Sequence, residues 1–227
     1  MLNHTKLCLY ILLNFIFFKV SAQQQLVVIN DLKTYKNQVE ANPNMQLIEI
    51  KRIVPNITLD IKYATKNNFA NEAVYSQARS FARKPVVDSL FKIEQELNEK
   101  GLGLKIFDGY RPHAVTVKFW KITPNNKKDY VANPKTGSRH NRGCAVDLTL
   151  IDYKTKKELV MPTPYDSFAP EASPTFENIS ALAKKNRDFL IETMTKYDFK
   201  VYKNEWWHFD FVGWENYPLM DIPFEKL

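Results

Sequence analysis

Residues 144–152 read CAVDLTLID, and the fold turns on whether they form a strand. Apolar side chains recur at every second position, the period of an extended chain with one buried face. Val146, Leu148 and Leu150 then face a core, while Ala145, Asp147 and Thr149 face the other way. Asp147 therefore looks out from a buried strand across a surface lined by small residues. His140 precedes it in SRHNRG, and Gly143 lets the intervening loop fold back. An imidazole and a carboxylate so placed can converge on one ion or simply hydrogen-bond to each other. The pair alone leaves both readings open.

The flanking sequence predicts the rest of the domain. Residues 23–44 are polar with a weak helical pattern and lead into it. QLIEIKR (46–52) and ITLDIKY (57–63) alternate as half-buried strands do, on either side of the turn signal VPN. KPVVDSLFKIEQELNEKG (84–101) places Val86, Leu90, Ile93 and Leu97 at helical spacing, with Pro85 near its start and Gly101 past its end. LGLKIFDGY (102–110) is a strand halted at Arg111-Pro112. An irregular piece covers 123–143 and a Pro-rich loop 152–174. TFENISALAKKNRDFLIETMTKYDF (175–199) predicts a second helix, with Ile179, Leu182, Leu190 and Met194 toward the core, and KVYKNEWWHFDFVGW (200–214) predicts a closing strand. Strands and helices mix without repeating βαβ units. The expected class is α+β: one domain over 23–227, a mainly antiparallel sheet flanked by helices.

The totals narrow the function. A 44% hydrophobic, 13% aromatic chain of 227 residues has enough material for one well-cored domain. Residues 1–22 run from a weakly basic start through the apolar CLYILLNFIFF to VSA, the layout of a secretory signal peptide, and the apolar run is short for a membrane span. An exported protein, periplasmic or secreted, is expected, with an uncleaved anchor as the alternative. The net charge of +7 falls to +5 without Lys6 and Lys19, and the basic residues are scattered, which argues against nucleic acid as a partner. Removal of Cys8 with the signal leaves Cys144 alone, so no internal disulfide framework is expected.

NEWWHFDF (204–211) adds the chemistry. His208 supplies a second imidazole, and two histidines with one carboxylate make a catalytic zinc set that keeps one position open. Glu205 lies three residues before His208, so on a regular strand the two would point to opposite faces. Glu205 can serve the same site, as a general base, only if the strand is irregular there. Asp210 shares the His208 face and is either a partner to that imidazole or an exposed strand acid. In FDGYRPH (107–113), Arg111 either binds a substrate carboxylate or developing oxyanion, or is a salt-bridged strand-end arginine.

Taken in order along the chain, DIKYATKNNFAN, ARKPVVDSL, GLGLKIFDGYRP, GSRHNRGCAVDLTL, EWWHFDF and YPLMDIPF resemble the D-alanyl-D-alanine dipeptidases. These are VanX-type zinc peptidases, related to D,D-carboxypeptidases and to the Hedgehog amino-terminal domain. The SxHxxGxAxD element stands as Ser138, His140, Gly143, Ala145 and Asp147, and ExxH as Glu205 and His208. The resemblance implies one zinc ion per chain held by His140, Asp147 and His208, with Glu205 as base and Arg111 stabilising the oxyanion. It further implies that Ser138 holds the substrate carboxylate and that Tyr63 and Asp166 meet its free amino group. MPTPYDSF, which carries Asp166, departs from the family's usual MGTxFD wording through Pro162 and Pro164. The implied activity is hydrolysis of a small D,D-dipeptide. A D,D- or L,D-carboxypeptidase acting on peptidoglycan stems and a non-catalytic zinc-bearing wall-binding domain are the alternatives.

Overall fold

The computed structural model describes residues 26–227. The signal sequence expected over 1–22 lies outside them. In chain order the elements are β1 (Val28–Ile29), α1 (Leu32–Ala41), β2 (Leu47–Glu49), α2 (Ile50–Ile53), β3 (Thr58–Leu59), β4 (Phe81–Arg83), α3 (Lys84–Glu99), β5 (Leu102–Asp108) and α4 (His113–Ile122). There follow β6 (Ala145–Asp152), α5 (Ala181–Lys196), β7 (Phe199–Tyr202), β8 (Glu205–Phe211) and β9 (Leu219–Met220), with short 3-10 turns between elements. The main sheet has the order β3-β5-β6-β8-β7 and is antiparallel except at the β3–β5 edge. This is the expected α+β class with a mainly antiparallel sheet, and 145–152 is the strand the alternation predicts.

Residues paired across neighbouring strands share a face. Leu104 pairs with Leu150, Ile106 with Leu148 and Val146 with Phe209, and all six are buried. Against that face pack Leu90, Ile93 and Leu97 of α3 and Leu190 and Met194 of α5. The two helices are tied by Glu96, which accepts hydrogen bonds from Lys196 and Tyr197. Asp147 pairs with His208 and Ala145 with Asp210, so the opposite face of the same three strands collects the titratable residues. The sheet is a partition with oil on one side and chemistry on the other.

Several expected elements differ in detail. QLIEIKR is a strand only through Glu49 before the chain turns into α2, because Ile50 is completely buried there. That strand pairs with β4 and ITLDIKY with β5, so the two segments belong to different sheets. The second helix begins only at Ala181, capped by the Ser180 hydroxyl accepting from the Ala183 amide, and Leu182 on its first turn is exposed rather than core. Helix α4 is absent from the sequence expectations: Val115, Thr116 and Val117 are a β-branched run of low helix propensity, and burial of Thr116 and Phe119 overrides it. The expected closing strand is a hairpin, β7 and β8 turning at Lys203-Asn204. Among the described residues no helix is long and apolar enough to cross a membrane.

Candidate active site

Strand β6 fixes the first ligand candidate. Asp147 is 3% exposed, and its Oδ1 has no hydrogen-bond partner. Two imidazole nitrogens face that orphaned oxygen, His140 Nε2 at 3.3 Å and His208 Nδ1 at 3.0 Å, and they lie 3.1 Å from each other. The remote nitrogens decide where the protons are. His140 Nδ1 lies 2.7 Å from the Gly109 carbonyl, which can only accept, so Nδ1 carries a proton and the neutral ring leaves Nε2 bare. His208 Nε2 donates to Asp210 Oδ1 at 2.9 Å, so in the neutral ring Nδ1 is the bare nitrogen. With both rings neutral, three lone pairs converge, an arrangement that suits a cation in place of a proton. A tetrahedral zinc with bonds of about 2.0–2.1 Å spaces its ligands by roughly 3.3 Å, close to the distances seen. The residues fit the metal.

The electrostatics agree with this division of labour. Burial opposes charge on Asp147, but His140 and His208 hold its carboxyl far below the usual range. Burial also disfavours an imidazolium at His208, yet Asp147 and Asp210 outweigh it and would raise its pKa to about 10 if protons alone filled the site. A metal competes with that proton, since ligand imidazoles must be neutral.

Glu205 reaches the same pocket because β8 is irregular where it must be. Val201 pairs with Phe209 but Tyr202 pairs with Glu205, so Trp206, Trp207 and His208 pass without counterparts on β7. The shift resets the alternation and brings Glu205 Oε2 to 3.7 Å from His208 Nδ1. Burial raises the Glu205 pKa to about 7, with His208 pulling it down and Asp147 pushing it up.

Arg111 is 9% exposed and held by Asp108, whose Oδ2 accepts from Nε at 3.0 Å and from Nη2 at 2.7 Å. Burial opposes its charge, and Asp108 more than restores it, so Arg111 stays protonated well beyond its ordinary range. Its backbone amide donates to the His140 carbonyl and its own carbonyl accepts from Asn141. The arginine loop and the histidine loop are therefore one unit. Gly109 lets them meet: a Cβ there would come 2.5 Å from Ser80 Oγ and 2.7 Å from the Phe81 carbonyl oxygen. Gly109→Ala is expected to destabilise the fold by about 1–3 kcal/mol, read as a lower urea midpoint at unchanged m-value.

At another wall of the cavity the Tyr63 hydroxyl donates to Asp166, 2.9 Å from Oδ2 and 3.1 Å from Oδ1. Burial and the Asp147 charge push the Asp166 carboxyl well above its ordinary range, and Tyr63 only partly offsets them. A cation beside it would favour the carboxylate form. Ser138 is buried, and its hydroxyl oxygen accepts from the His140 amide, leaving its own proton to donate. Tyr63, Arg111, Ser138, His140, Asp147, Asp166, Glu205 and His208 all line one cavity of about 420 Å³.

Two residues behind the lining escaped the sequence reading. Asp108, fully buried, also accepts from Tyr75 and from the Gly109 amide; its spacing three before Arg111 was the available signal. A bulge between Ile106 and Asp108 turns it toward Asp147. The other is Tyr165, whose hydroxyl donates to Asp147 Oδ2 at 3.0 Å. Nothing in MPTPYDSF marks it. Asp210 is the His208 partner rather than a free surface acid, and it is paired in turn with Arg139 at 3.5 Å.

Comparison with known proteins follows the same line. The family model described as D-ala-D-ala dipeptidase, of the M15 peptidases, matches residues 43–223. The chain is 32% identical over 175 residues to the D-alanyl-D-alanine dipeptidase of Escherichia coli, covering 77% of this chain and 89% of that one. It is 30% identical over 181 residues to the D-alanyl-D-alanine dipeptidase of Enterococcus faecium, covering 70% and 88%. Among solved structures it is similar to the LdcB LD-carboxypeptidase at 20% identity and a TM-score of 0.39, over 60% of this chain and 61% of that one. By the extent of these matches, this chain belongs to the D-alanyl-D-alanine dipeptidase family of M15 peptidases.

Proposed function

We propose that this protein is a zinc peptidase that hydrolyses D-Ala-D-Ala to two D-alanines. The observation that carries this reading is the sharing of one cavity by the His140–Asp147–His208 trio, Glu205 and the hydrogen-bonded Asp166–Tyr63 pair. His140 Nε2, Asp147 Oδ1 and His208 Nδ1 are the ligands, one ion to a chain. Zinc bound there supplies an acidified water and a polarised carbonyl.

The chain's own groups do the rest. Asp166 and Tyr63 take the substrate's ammonium, a charge that is costly to bury unless paired. An acylated amine brings no charge and adds bulk, so the same contact selects free dipeptides. Ser138 donates its hydroxyl proton to the substrate carboxylate. Arg111, anchored by Asp108, keeps donors free for the oxygen that becomes negative as the carbonyl turns tetrahedral. Glu205 takes a proton from the attacking water and delivers it to the leaving nitrogen. The apolar start of the chain favours an exported protein, acting in wall turnover or dipeptide scavenging.

A hydrolysis panel tests the reading. Free D-Ala-D-Ala is expected to be cleaved and its N-acetyl form at least about 100-fold more slowly, since an ion pair that loses one partner costs several kcal/mol and the acetyl group adds bulk at that wall. A strong chelator should abolish turnover and added zinc restore it. Preference for the acylated peptide would instead make the protein a carboxypeptidase of wall stems.

A further inference from the structure

We infer that Tyr165 is a positioning residue for the metal: its hydroxyl pins Asp147 so that Oδ1 alone faces the two histidines. The inference rests on the zinc reading of the His140–Asp147–His208 trio and extends it to a residue outside that trio.

Asp147 has two carboxylate oxygens and they live in different surroundings. Oδ1 is the orphaned atom 3.0 Å from His208 Nδ1 and 3.3 Å from His140 Nε2. Oδ2 accepts the Tyr165 hydroxyl at 3.0 Å, and its other polar neighbour is Arg111 Nη2 at 3.9 Å, beyond hydrogen-bond reach. Tyr165 is thus the group that tells the two oxygens apart.

The ring is in a position to hold that bond. It stacks on Phe107 at 4.6 Å between centroids with an interplanar angle of 25°. Trp207 and Tyr63 meet it edge-on at 5.6 and 6.3 Å. A phenol clamped on its face and both edges has little freedom to swing away, so the hydroxyl is a fixed donor. Phe107 is the extra residue of the β5 bulge and Trp207 lies in the unpaired stretch of β8. Both sheet irregularities therefore contribute a wall to the Tyr165 slot.

Without the hydroxyl, two alternatives open to Asp147. Oδ2 can turn toward the cation, making the carboxylate bidentate and filling the position a catalytic site keeps open. Or it can close the gap to Arg111, drawing the guanidinium off Asp108. A donor on a ligand carboxylate also drains some of its charge, which by itself weakens the metal bond slightly. Orientation is the larger effect: partners behind metal ligands are worth about 10–100-fold in affinity.

The test is Tyr165→Phe on the full chain, which keeps the ring and its stacking. Zinc affinity is measured by chelator competition for wild type, Tyr165→Phe and Tyr63→Phe, and the visible spectrum of each is recorded with cobalt in place of zinc. Tyr165→Phe is expected to bind zinc about 10–100-fold more weakly, with an altered cobalt spectrum as the unpinned carboxylate turns away from its single-oxygen pose. Tyr63→Phe removes a hydroxyl from the same aromatic cluster but one bonded to Asp166, and should bind zinc as wild type does. Tyr165→Phe affinity within twofold of wild type, with an unchanged cobalt spectrum, overturns the role given to Tyr165. Failure of the wild-type chain itself to bind zinc tightly would instead overturn the metal site.

Discussion

Replacing Glu205 by glutamine is expected to lower kcat by about 10²–10⁴-fold, the range set by general acid–base catalysis, while zinc binding stays at the wild-type level. Glutamine keeps the size and one carbonyl oxygen but can neither accept the water's proton nor pass it on. Glu205 is not one of the three converging ligand atoms, so the trio survives the change. The pH profile gives the same residue a second signature. Burial raises its pKa to about 7, and only the carboxylate form accepts a proton, so kcat/KM rises with pH through this group. A cation at the trio stabilises the carboxylate and draws the midpoint lower, which places the rising limb at or below about pH 7. The limb should vanish in Glu205→Gln. A variant that turns over at the wild-type rate, or keeps the limb, removes Glu205 from the scheme.

Arg111→Lys is expected to lower kcat by about 10²–10³-fold, the usual cost of one missing oxyanion donor, with a smaller change in KM. Lysine retains the charge but not the planar fork, which here splits its donors between Asp108 and the cavity. Arg111→Ala is a poorer probe. It leaves Asp108, which is 1% exposed, as a buried charge without its partner, at about 3–5 kcal/mol. Activity lost in the alanine variant would mix chemistry with unfolding. Denaturant unfolding of both variants separates the two, since the lysine variant should lose less stability. Wild-type kcat in Arg111→Lys would return Arg111 to the simpler role of a strand-end ion pair.

Much of the site was legible because its residues sit on regular structure or in short, ordered motifs. The alternation in CAVDLTLID placed Asp147 opposite the core face, and pairing with β5 and β8 keeps it there. His140, seven residues before it, needed only a returning loop, and Gly143 in the left-handed region, φ 70°, supplies one. The same parity rule forbade Glu205 and His208 from sharing a face, and the β8 irregularity lifts the prohibition. The helix read from Val86, Leu90, Ile93 and Leu97 is where their spacing put it. Leu182 failed as a core residue because it sits on the first turn of α5, outside the face that buries Ala183, Arg187, Leu190 and Met194.

What the sequence by itself determined, then, is which side chains can carry charge, bind a metal or fill a core, and which face of a regular strand or helix each takes. Only the tertiary structure decided the two sheet bulges, the carbonyl and carboxylate that set the histidine tautomers, and the places of Asp108 and Tyr165. The physical reason is range. Alternation is enforced residue by residue through local backbone geometry, so it is written along the chain. A bulge, a tautomer or a phenol behind a carboxylate is enforced by atoms brought together across the fold, as Gly109 is to His140 and Tyr165 to Asp147.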